Sequence, residues 1–208
     1  MRACILLKKS YYKGMEILGK ILGSPAKVKI MRLFLLNPTK GFSNKEIGRR
    51  SRINGSAVNK ELKLLASVNF VKKHAKGEYF FNSSFKYTSE VEDLLINSDS
   101  LDKNIIQETF KKVGKIKLLI VAGIFIKSKD SRVDLLIVGD KMSRAKIDEG
   151  IRKLEAEIGA ELAYAIFDTK EFKYRLDMFD KLIRDVLDFP HEVILETKEL
   201  STQTLKKS

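Results

Sequence analysis

The segment of residues 117–140, KLLIVAGIFIKSKDSRVDLLIVGD, contains the residues of this chain that come nearest to a catalytic site. Gly123 stands at the end of its first apolar run, and Asp134 lies in its second. A glycine at the end of one apolar run and an aspartate in the next suggest a catalytic site. Whether such a site could be active depends on the residues at the neighbouring positions.

Two short apolar runs within this segment predict buried strands. Residues 117–122 and 133–138 are rich in Ile, Val and Leu and are too short for helices of normal length. A polar connector, residues 127–132, separates them. After them we expect a helix, a third buried strand, two more helices and an edge strand, over residues 143–158, 162–167, 171–178, 179–187 and 191–196. The polar tail from Thr197 onward is expected to be frayed.

Residues 116–196 resemble the minimal nucleotidyltransferase fold, in particular the versions joined to winged helix-turn-helix regulators in bacteria and archaea. The resemblance rests on the glycine-containing connector between two strands, the segment SRVDLLIVGD, the amphipathic helix that follows it, and the pattern YAIFDTKEFKYRLDMFDKLIRDVL before the last strand. It implies a small α/β domain with a mixed sheet.

The same resemblance implies that the catalytic residues are missing. Active members of the family hold phosphates with a Gly-Ser pair and metal ions with three carboxylates. Here Gly123 and Asp134 are kept, Ile124 replaces the serine, and Arg132 and Ala163 stand at the other two carboxylate positions. Mg²⁺ needs an oxygen shell with net negative charge, which an arginine opposes. We therefore expect a pseudoenzyme with a vestigial glycine and aspartate, no catalytic residue, no metal and no cofactor.

The altered loop has three possible roles. Arg132 and Asp134 could pair with neighbouring residues as structure, or Lys127, Lys129 and Arg132 could bind a phosphate-bearing ligand without a metal. The whole domain could also serve only dimerisation or partner binding. Other chemistry is not indicated, because the sequence has no Walker loop, no dinucleotide fingerprint and no zinc-binding set.

Positive charge is concentrated in the first part of the chain. The 208 residues carry a net charge of +13, but residues 1–88 contain 19 Lys and Arg against four acids, whereas residues 89–208 contain 21 against 23. A basic segment joined to a near-neutral one indicates that the first binds a polyanion and the second has another role. The single cysteine, Cys4, excludes an internal disulfide. No apolar run has the length of a membrane span, so we expect a cytoplasmic protein with no membrane partner.

The basic part has the spacing of a helix-turn-helix. Ser24 and Pro25 open one helix, Ser43 caps a second over residues 44–50, and a turn over residues 51–55 leads to a third. The third helix has an inward apolar stripe, formed by Val58, Leu62 and Leu65. A hairpin with a positive-φ turn at Gly77 is expected over residues 70–82, FVKKHAKGEYFFN.

Residues 22–82 resemble the winged helix-turn-helix domains of small prokaryotic transcription regulators, on the stretch SNKEIGRRSRINGSAVNKELKLLASVNFVKK and the basic hairpin. Such domains place the third helix in the major groove and the hairpin on the backbone. At the groove we expect short polar and cationic side chains: Asn54, Ser56, Asn59, Lys60 and Lys63. On phosphates we expect Arg49, Arg50, Arg52, Lys72, Lys73, His74 and Lys76, with Ser43 and Asn44 at the start of the second helix completing the DNA-binding set.

The sequence thus predicts an α+β chain: an N-terminal winged helix-turn-helix followed by a small mixed-sheet nucleotidyltransferase-like α/β domain. Its boundaries are an extension at 1–14, a DNA-binding domain at 15–88, connecting helices at 89–115, the second domain at 116–196 and a flexible tail at 197–208. The expected function is sequence-specific transcription regulation as a homodimer on double-stranded DNA. The alternatives are a divergent nucleotidyltransferase of a toxin–antitoxin type acting on protein or RNA, and an adaptor that binds RNA or protein.

Overall fold

The computed structural model of the chain describes residues 13–97, 103–128 and 131–202. It is an α+β structure that divides into two compact units, Met1–Ser100 with Arg152–Glu161, and Leu101–Ile151 with Leu162–Ser208. Two units were expected, but with other boundaries. The helical residues 89–97, predicted as part of a connector, group with the first unit, and so do residues 152–161, which were predicted to belong to the second domain.

The first unit consists of helices and one small sheet. Its helices are α1 (Lys13–Ile21), α2 (Pro25–Leu35), α3 (Asn44–Ser51), α4 (Gly55–Ser67) and α5 (Thr88–Glu92). A π-helical turn, Asp93–Asn97, continues α5, and the strands β1 (Val71–Lys73) and β2 (Tyr79–Phe81) pair antiparallel. A further bridge between Phe42 and Tyr79 joins the segment before α3 to β2.

Helix α2 is the central helix of the first unit, as its apolar composition predicted. Ser24 accepts a hydrogen bond from the backbone of Lys27, and proline occupies the first helical turn. Seven of the eleven residues of α2 are buried. The rings of Phe34 and Phe42 meet edge to face with their centroids 5.7 Å apart, which is a favourable aromatic geometry. The core of this unit therefore forms around α2.

The second unit is built on one mixed sheet. Its elements are α6 (Lys103–Phe110), β3 (Lys115–Val121), β4 (Leu135–Asp140), α7 (Arg144–Ile158, which passes into the first unit at Arg152), β5 (Tyr164–Phe167), α8 (Thr169–Asp177), α9 (Lys181–Asp188) and β6 (Glu192–Glu196). The strand order is β5-β4-β3-β6. β3 is antiparallel to both β4 and β6, whereas β4 and β5 are parallel. The mixed sheet and the edge position of β6 were both predicted.

The central strands are buried on both faces, which explains why their sequences are nearly continuous runs of Leu, Ile and Val. On one face, Leu118 and Ile120 of β3 belong to a cluster that includes Phe172 of α8 and Ile183 of α9. Helix α7 has the amphipathic pattern expected from helical spacing of Ile147, Ile151, Leu154 and Ile158: the first three are buried and Ile158 is half-buried. Within the described residues, no helix combines the length and the apolar composition needed to cross a membrane.

Three local features differ from the sequence prediction. Strand β4 begins at Leu135, so Asp134 precedes the strand instead of lying on it. The connector after β3 starts with a short 3-10 turn, Gly123–Ile126, that periodicity over four residues cannot reveal. Another 3-10 turn follows β6 at Lys198–Leu200, and Leu200 is fully buried. The chain therefore stays folded beyond residue 197, because this leucine reaches the apolar cluster of the second unit.

Candidate functional site

Side chains cap the N-terminal ends of both α3 and α4. Ser43 Oγ accepts from the backbone of Glu46, whose carboxylate accepts from the Ser43 N–H at 3.0 Å. The bond from the Ser43 backbone is the main reason why the pKa of Glu46 is lowered. Arg52 takes the left-handed conformation, with φ 55°, and Asn54 Oδ1 accepts from the N–H of Ala57 at 2.9 Å. Two expected DNA contacts, Ser43 and Asn54, are therefore also structural caps.

Helix α4 has one packed face and one exposed face. Its predicted inward residues, Val58, Leu62 and Leu65, are at most 3% exposed. The residues that were predicted to face outward are all exposed: Ser56, Asn59, Lys60 and Lys63. The division of the helix into these two faces is confirmed, and its solvent side offers amide, hydroxyl and ammonium groups.

Asn44 and Asn59 join the exposed sides of α3 and α4. Asn44, the first residue of α3, donates a hydrogen bond from Nδ2 to Oδ1 of Asn59. An amide oxygen has two lone pairs and an amide nitrogen two hydrogens, so Asn59 keeps one acceptor position and its donors. Both residues were expected in the interface. Their mutual contact was not, because the two positions lie 15 residues apart.

The β1–β2 hairpin carries the second expected group of DNA contacts. Gly77 has φ 83°, and the N–H of His74 donates to the carbonyl of Glu78 at 2.8 Å, so the predicted turn is present. The basic residues of this hairpin are all exposed: Lys72, Lys73, His74 and Lys76. They follow α4 after a connection of only three residues.

Aromatic contacts hold the hairpin side chains in place. The ring of His74 lies over that of Phe80 with a centroid distance of 4.4 Å, and the ammonium of Lys73 lies 5.7 Å from the ring centroid of Tyr79. Gly41 passes so close to Phe80 that a Cβ would overlap its ring. Two of the basic side chains of the hairpin, Lys73 and His74, thus pack against aromatic rings of β2.

The three arginines expected on phosphates differ in their surroundings. Arg49 and Arg52 are exposed. Arg50 instead donates from Nη1 to Glu161 at 2.7 Å, and its guanidinium lies 5.4 Å from the ring centroid of Phe42. The hydrogen bond from Arg50 is the main cause of the lowered pKa of Glu161. Sequence spacing could not reveal this pair, because 111 residues separate the two partners.

Few carboxylates lie among the basic residues of α4 and the hairpin, whereas Glu161 opposes the arginines of α3: it pairs with Arg50, and Arg49 also contributes to its lowered pKa. Residues 43–88 contain three acids, Glu46, Glu61 and Glu78. Glu46 is engaged in the cap of α3, Glu61 is 5% exposed on the inner side of α4, and Glu78 is half-buried behind the hairpin turn. The solvent side of α4 and the hairpin is therefore strongly positive, which suits a polyanionic partner.

Both carboxylate oxygens of Asp134 are bound by the backbone. Oδ1 accepts from the N–H of Ile124 at 2.8 Å, and Oδ2 accepts from the N–H of Ala163 at 2.9 Å. Gly123 has φ 51°, and a Cβ at this residue would overlap the carboxylate. The structure thus brings Gly123, Ile124, Asp134 and Ala163 together. Their contacts tie the turn after β3 to the segment before β5.

The cations of the same loop are partly engaged. Arg132 Nε lies 2.7 Å from Oδ2 of Asp185 on α9. Lys127 closes the 3-10 turn in the left-handed conformation and has an interaction partner of its own. Lys129, the third residue expected to bind phosphate, lies outside the described residues.

The residues at this loop do not fit a divalent cation. Within the described part of the chain, no group of three or more His, Cys, Asp or Glu is placed to hold a metal. The two oxygens of Asp134 already accept from backbone N–H groups, and Arg132, two residues before it, is a cation that pairs with Asp185. Mg²⁺ is held by several oxygen ligands with net negative charge, which the described residues of this loop do not supply.

An open cleft in the second unit combines three charged side chains with two large exposed ones, a tyrosine and a methionine. It is lined by Glu171, Tyr174, Arg175, Met178 and Asp180. The guanidinium of Arg175 is bound by Glu171 at 2.9 Å and by Asp180 at 3.1 Å. Tyr174 and Met178, one helical turn apart, are 65% and 64% exposed. This surface lacks the arrangement of a catalytic site.

No protein-family model matches the chain, and no curated protein and no solved structure matches it either. A function for this chain is therefore argued from its own residues and their geometry. Two places bring together residues that the sequence singled out. One is the exposed basic surface of α3, α4 and the hairpin, and the other is the loop around Gly123 and Asp134.

Proposed function

We propose that the chain is a sequence-specific DNA-binding transcription regulator whose first unit is a winged helix-turn-helix. The observation that carries the proposal is the exposed side of α4, with Asn59, Lys60 and Lys63, followed at once by the exposed lysines of the β1–β2 hairpin. Helices α3 and α4 are joined by three residues. A helix presented in this way can enter a major groove while the hairpin reaches the neighbouring backbone.

The proposed contacts divide by their chemistry. Ser56 and Asn59 are short and polar, so they are assigned to base edges. The cations are assigned mainly to phosphates: Arg49, Arg52, Lys60, Lys63, Lys72, Lys73, His74 and Lys76. Arg50 is assigned to the structure instead, since Glu161 and Phe42 already engage its guanidinium.

For the second unit we propose a nucleotidyltransferase-like domain without catalysis. The topology supports this, because β3 is antiparallel to β4, β4 is parallel to β5 through α7, and a glycine follows β3 directly. The unit would supply dimerisation or sensing, as two half-sites are the usual route to specificity for small DNA-binding modules. The exposed apolar residues Tyr174, Met178 and Phe179 support an interaction role.

Binding of the full chain to duplex DNA of random sequence, compared with duplex RNA of equal length at equal salt, tests the proposal. We expect tighter binding to DNA, and enrichment of a defined sequence from the random pool. Equal binding to RNA and DNA would favour an RNA-binding adaptor. Binding to neither would refute the DNA-binding function.

The rival function, nucleotide transfer to a protein or RNA, has the topology of the second unit in its favour. It is tested with the unaltered chain, labelled ATP and Mg²⁺, in the presence and absence of total RNA. We expect no label on the chain or on the RNA, since the carboxylate of Asp134 already accepts from the backbone N–H groups of Ile124 and Ala163. Incorporation of label above that of a heat-denatured sample would overturn the pseudoenzyme assignment.

A further inference from the structure

We infer that the carboxylate of Glu161 occupies a phosphate-binding position of the first unit, from which a backbone phosphate of duplex DNA displaces it. Three cations form this position: Lys40, Arg49 and Arg50. The inference rests on the DNA-binding function proposed above and adds to it a contact that the chain itself opposes. The observation behind it is the 2.7 Å contact between Arg50 Nη1 and Glu161 Oε1.

The guanidinium of Arg50 is held in a place where it binds an anion. Arg50 lies on α3, and the centre of its guanidinium is 5.4 Å from the ring centroid of Phe42. A guanidinium presents its N–H donors in a planar fork that suits the oxygens of a carboxylate and those of a phosphate alike. One oxygen of Glu161 accepts from this fork. The carboxylate therefore lies where a phosphate oxygen would bind.

Two further cations act on the same carboxylate. The hydrogen bond from Arg50 and the charge of Arg50 are the main causes of the lowered pKa of Glu161, and the charges of Lys40 and Arg49 lower it further. Both of these side chains are exposed. Glu161 thus stands among three positive charges, which is the electrostatic environment of an anion-binding position and not that of a single ion pair.

The segment that carries Glu161 is anchored to the end of α2. Asn37 Nδ2 donates to the carbonyl of Leu33 at 2.8 Å and to that of Gly159 at 2.9 Å. Gly159 has φ 94°, and a Cβ at this residue would overlap the backbone of α2. The N–H of Lys40 donates to the carbonyl of Asn37 at 3.1 Å. The same asparagine therefore fixes the backbone beside Glu161 and the turn that carries Lys40.

A phosphate can replace the carboxylate because the pair is open to solvent on the acidic side. The side chain of Glu161 is 66% exposed. Ion pairs with such an exposed partner contribute little to stability. Duplex DNA, in contrast, presents closely spaced phosphates, and each phosphate that a cation neutralises releases condensed counterions. Glu161 is therefore displaced by DNA, and its negative charge weakens the binding.

Binding of a labelled duplex of random sequence to the full chain and to Glu161→Gln tests the inference. The amide keeps an acceptor oxygen for Arg50 and removes only the negative charge. We expect Glu161→Gln to bind about five- to tenfold more tightly at about 0.1 M salt, with a salt slope that is steeper by about one. Glu90→Gln, the same change at an exposed residue of α5, is the matched control and should leave affinity and slope unchanged.

Arg50→Gln shows whether the gain depends on the proposed position. In the Glu161→Gln background, this change should remove the whole gain of about five- to tenfold, because the guanidinium is then available to the phosphate. In the unaltered chain the loss should be smaller, since Glu161 already engages Arg50. Equal losses in the two backgrounds would mean that Glu161 acts only through the net charge of the chain, and would overturn the inference.

Inorganic phosphate, compared with chloride at equal ionic strength, distinguishes a free phosphate from the DNA backbone as the ligand. We expect Glu161→Gln to gain affinity for the duplex in chloride. If phosphate raised the thermal unfolding temperature of Glu161→Gln while the variant gained no affinity for DNA, the position would take a free phosphate, and the DNA contact would be overturned.

Different results separate this position from the DNA-binding function. If neither the unaltered chain nor Glu161→Gln binds the duplex, both are wrong. If the unaltered chain binds the duplex and Glu161→Gln binds it no more tightly than Glu90→Gln does, the DNA-binding function stands and the inference is overturned. Circular dichroism and thermal unfolding of each variant confirm that the compared chains are folded.

Discussion

Gly123 and Asp134 fit each other sterically: a Cβ on residue 123 would overlap Oδ1 of Asp134, the atom that accepts from the N–H of Ile124. Gly123 also has φ 51°, in the left-handed region that favours glycine. The two residues that first suggested catalysis are therefore required by the local backbone. Their presence needs no catalytic explanation.

Gly123→Ala should lower the free energy of unfolding by about 1–3 kcal/mol, because the new methyl displaces the Asp134 carboxylate from its N–H partners. Urea unfolding measures this change. Gly55→Ala is the matched control, since a Cβ at this first residue of α4 meets nothing within 4 Å. It should change the stability by about 0.5 kcal/mol or less. Equal losses in the two variants would contradict the steric fit.

Removing the carboxylate of Asp134 should also destabilise the fold. Asp134→Ala leaves the N–H groups of Ile124 and Ala163 without their acceptor, which should cost about 1–3 kcal/mol of unfolding free energy. Asp134→Asn keeps one acceptor oxygen, so its unfolding free energy should lie between those of the unaltered chain and Asp134→Ala. If all three chains unfolded at the same urea concentration, Asp134 would have no structural role.

Arg32 should be important for the stability of the first unit. It is 5% exposed, and its guanidinium donates to the carbonyls of Leu95 at 2.9 Å and of Glu157 at 3.2 Å. Arg32→Met retains apolar packing but leaves both carbonyls without this donor, so we expect a loss of about 2–3 kcal/mol. Arg49→Met, at an exposed position, is the control, and its loss of unfolding free energy should be about 0.5 kcal/mol or less. If Arg32→Met left the free energy of unfolding unchanged, the buried guanidinium would be dispensable for stability.

Lys117 should make the stability of the second unit depend on pH in acid. Its ammonium lies 2.9 Å from Asp140 and 2.7 Å from Glu199. The hydrogen bond from Lys117 is the main reason why the pKa of Asp140 falls from 3.8 to about 2, and it also lowers the pKa of Glu199. Because the pKa is lower in the folded chain, this stabilisation is present above pH about 4 and is lost as the pH falls through about 2.

Lys117→Met removes the main cause of these shifts, so its difference in stability from the unaltered chain should be largest above pH about 4 and should shrink toward pH about 2. Urea unfolding at a series of pH values measures the difference. Lys115→Met changes the same charge at an exposed position of the same strand and should give a difference that varies less with pH. A constant difference for Lys117→Met would mean that the ion pairs do not stabilise the fold.

The parts of the fold that sequence could predict are those decided by adjacent residues. The start of α2 at Ser24 and Pro25, the cap at Ser43 and the positive φ of Gly77 were all expected and are all present. Each depends on hydrogen bonds or backbone conformations within about four residues. The two faces of α4 were also predicted, since they follow from helical periodicity alone.

The parts that sequence missed depend on residues far apart in the chain. Arg50 appeared free to bind phosphate until folding brought Glu161 to it, and Arg132 meets Asp185 in the same way. The unit boundary within α7 has the same origin, because a continuous helix gives no signal of where its packing partners change. Candidate site residues could therefore be identified by type and face, but not sorted into those that are free and those that are engaged.

The salt dependence of duplex DNA binding tests the central claim most directly. With the full chain and a labelled duplex of random sequence, we predict that the logarithm of the association constant falls linearly with the logarithm of salt concentration. Lys76→Ala at the hairpin tip should reduce that slope by about one, whereas Lys181→Ala, an exposed lysine on α9, should leave it unchanged. Equal slopes for the unaltered chain and Lys76→Ala, or an equal reduction in Lys181→Ala, would contradict DNA binding by this surface.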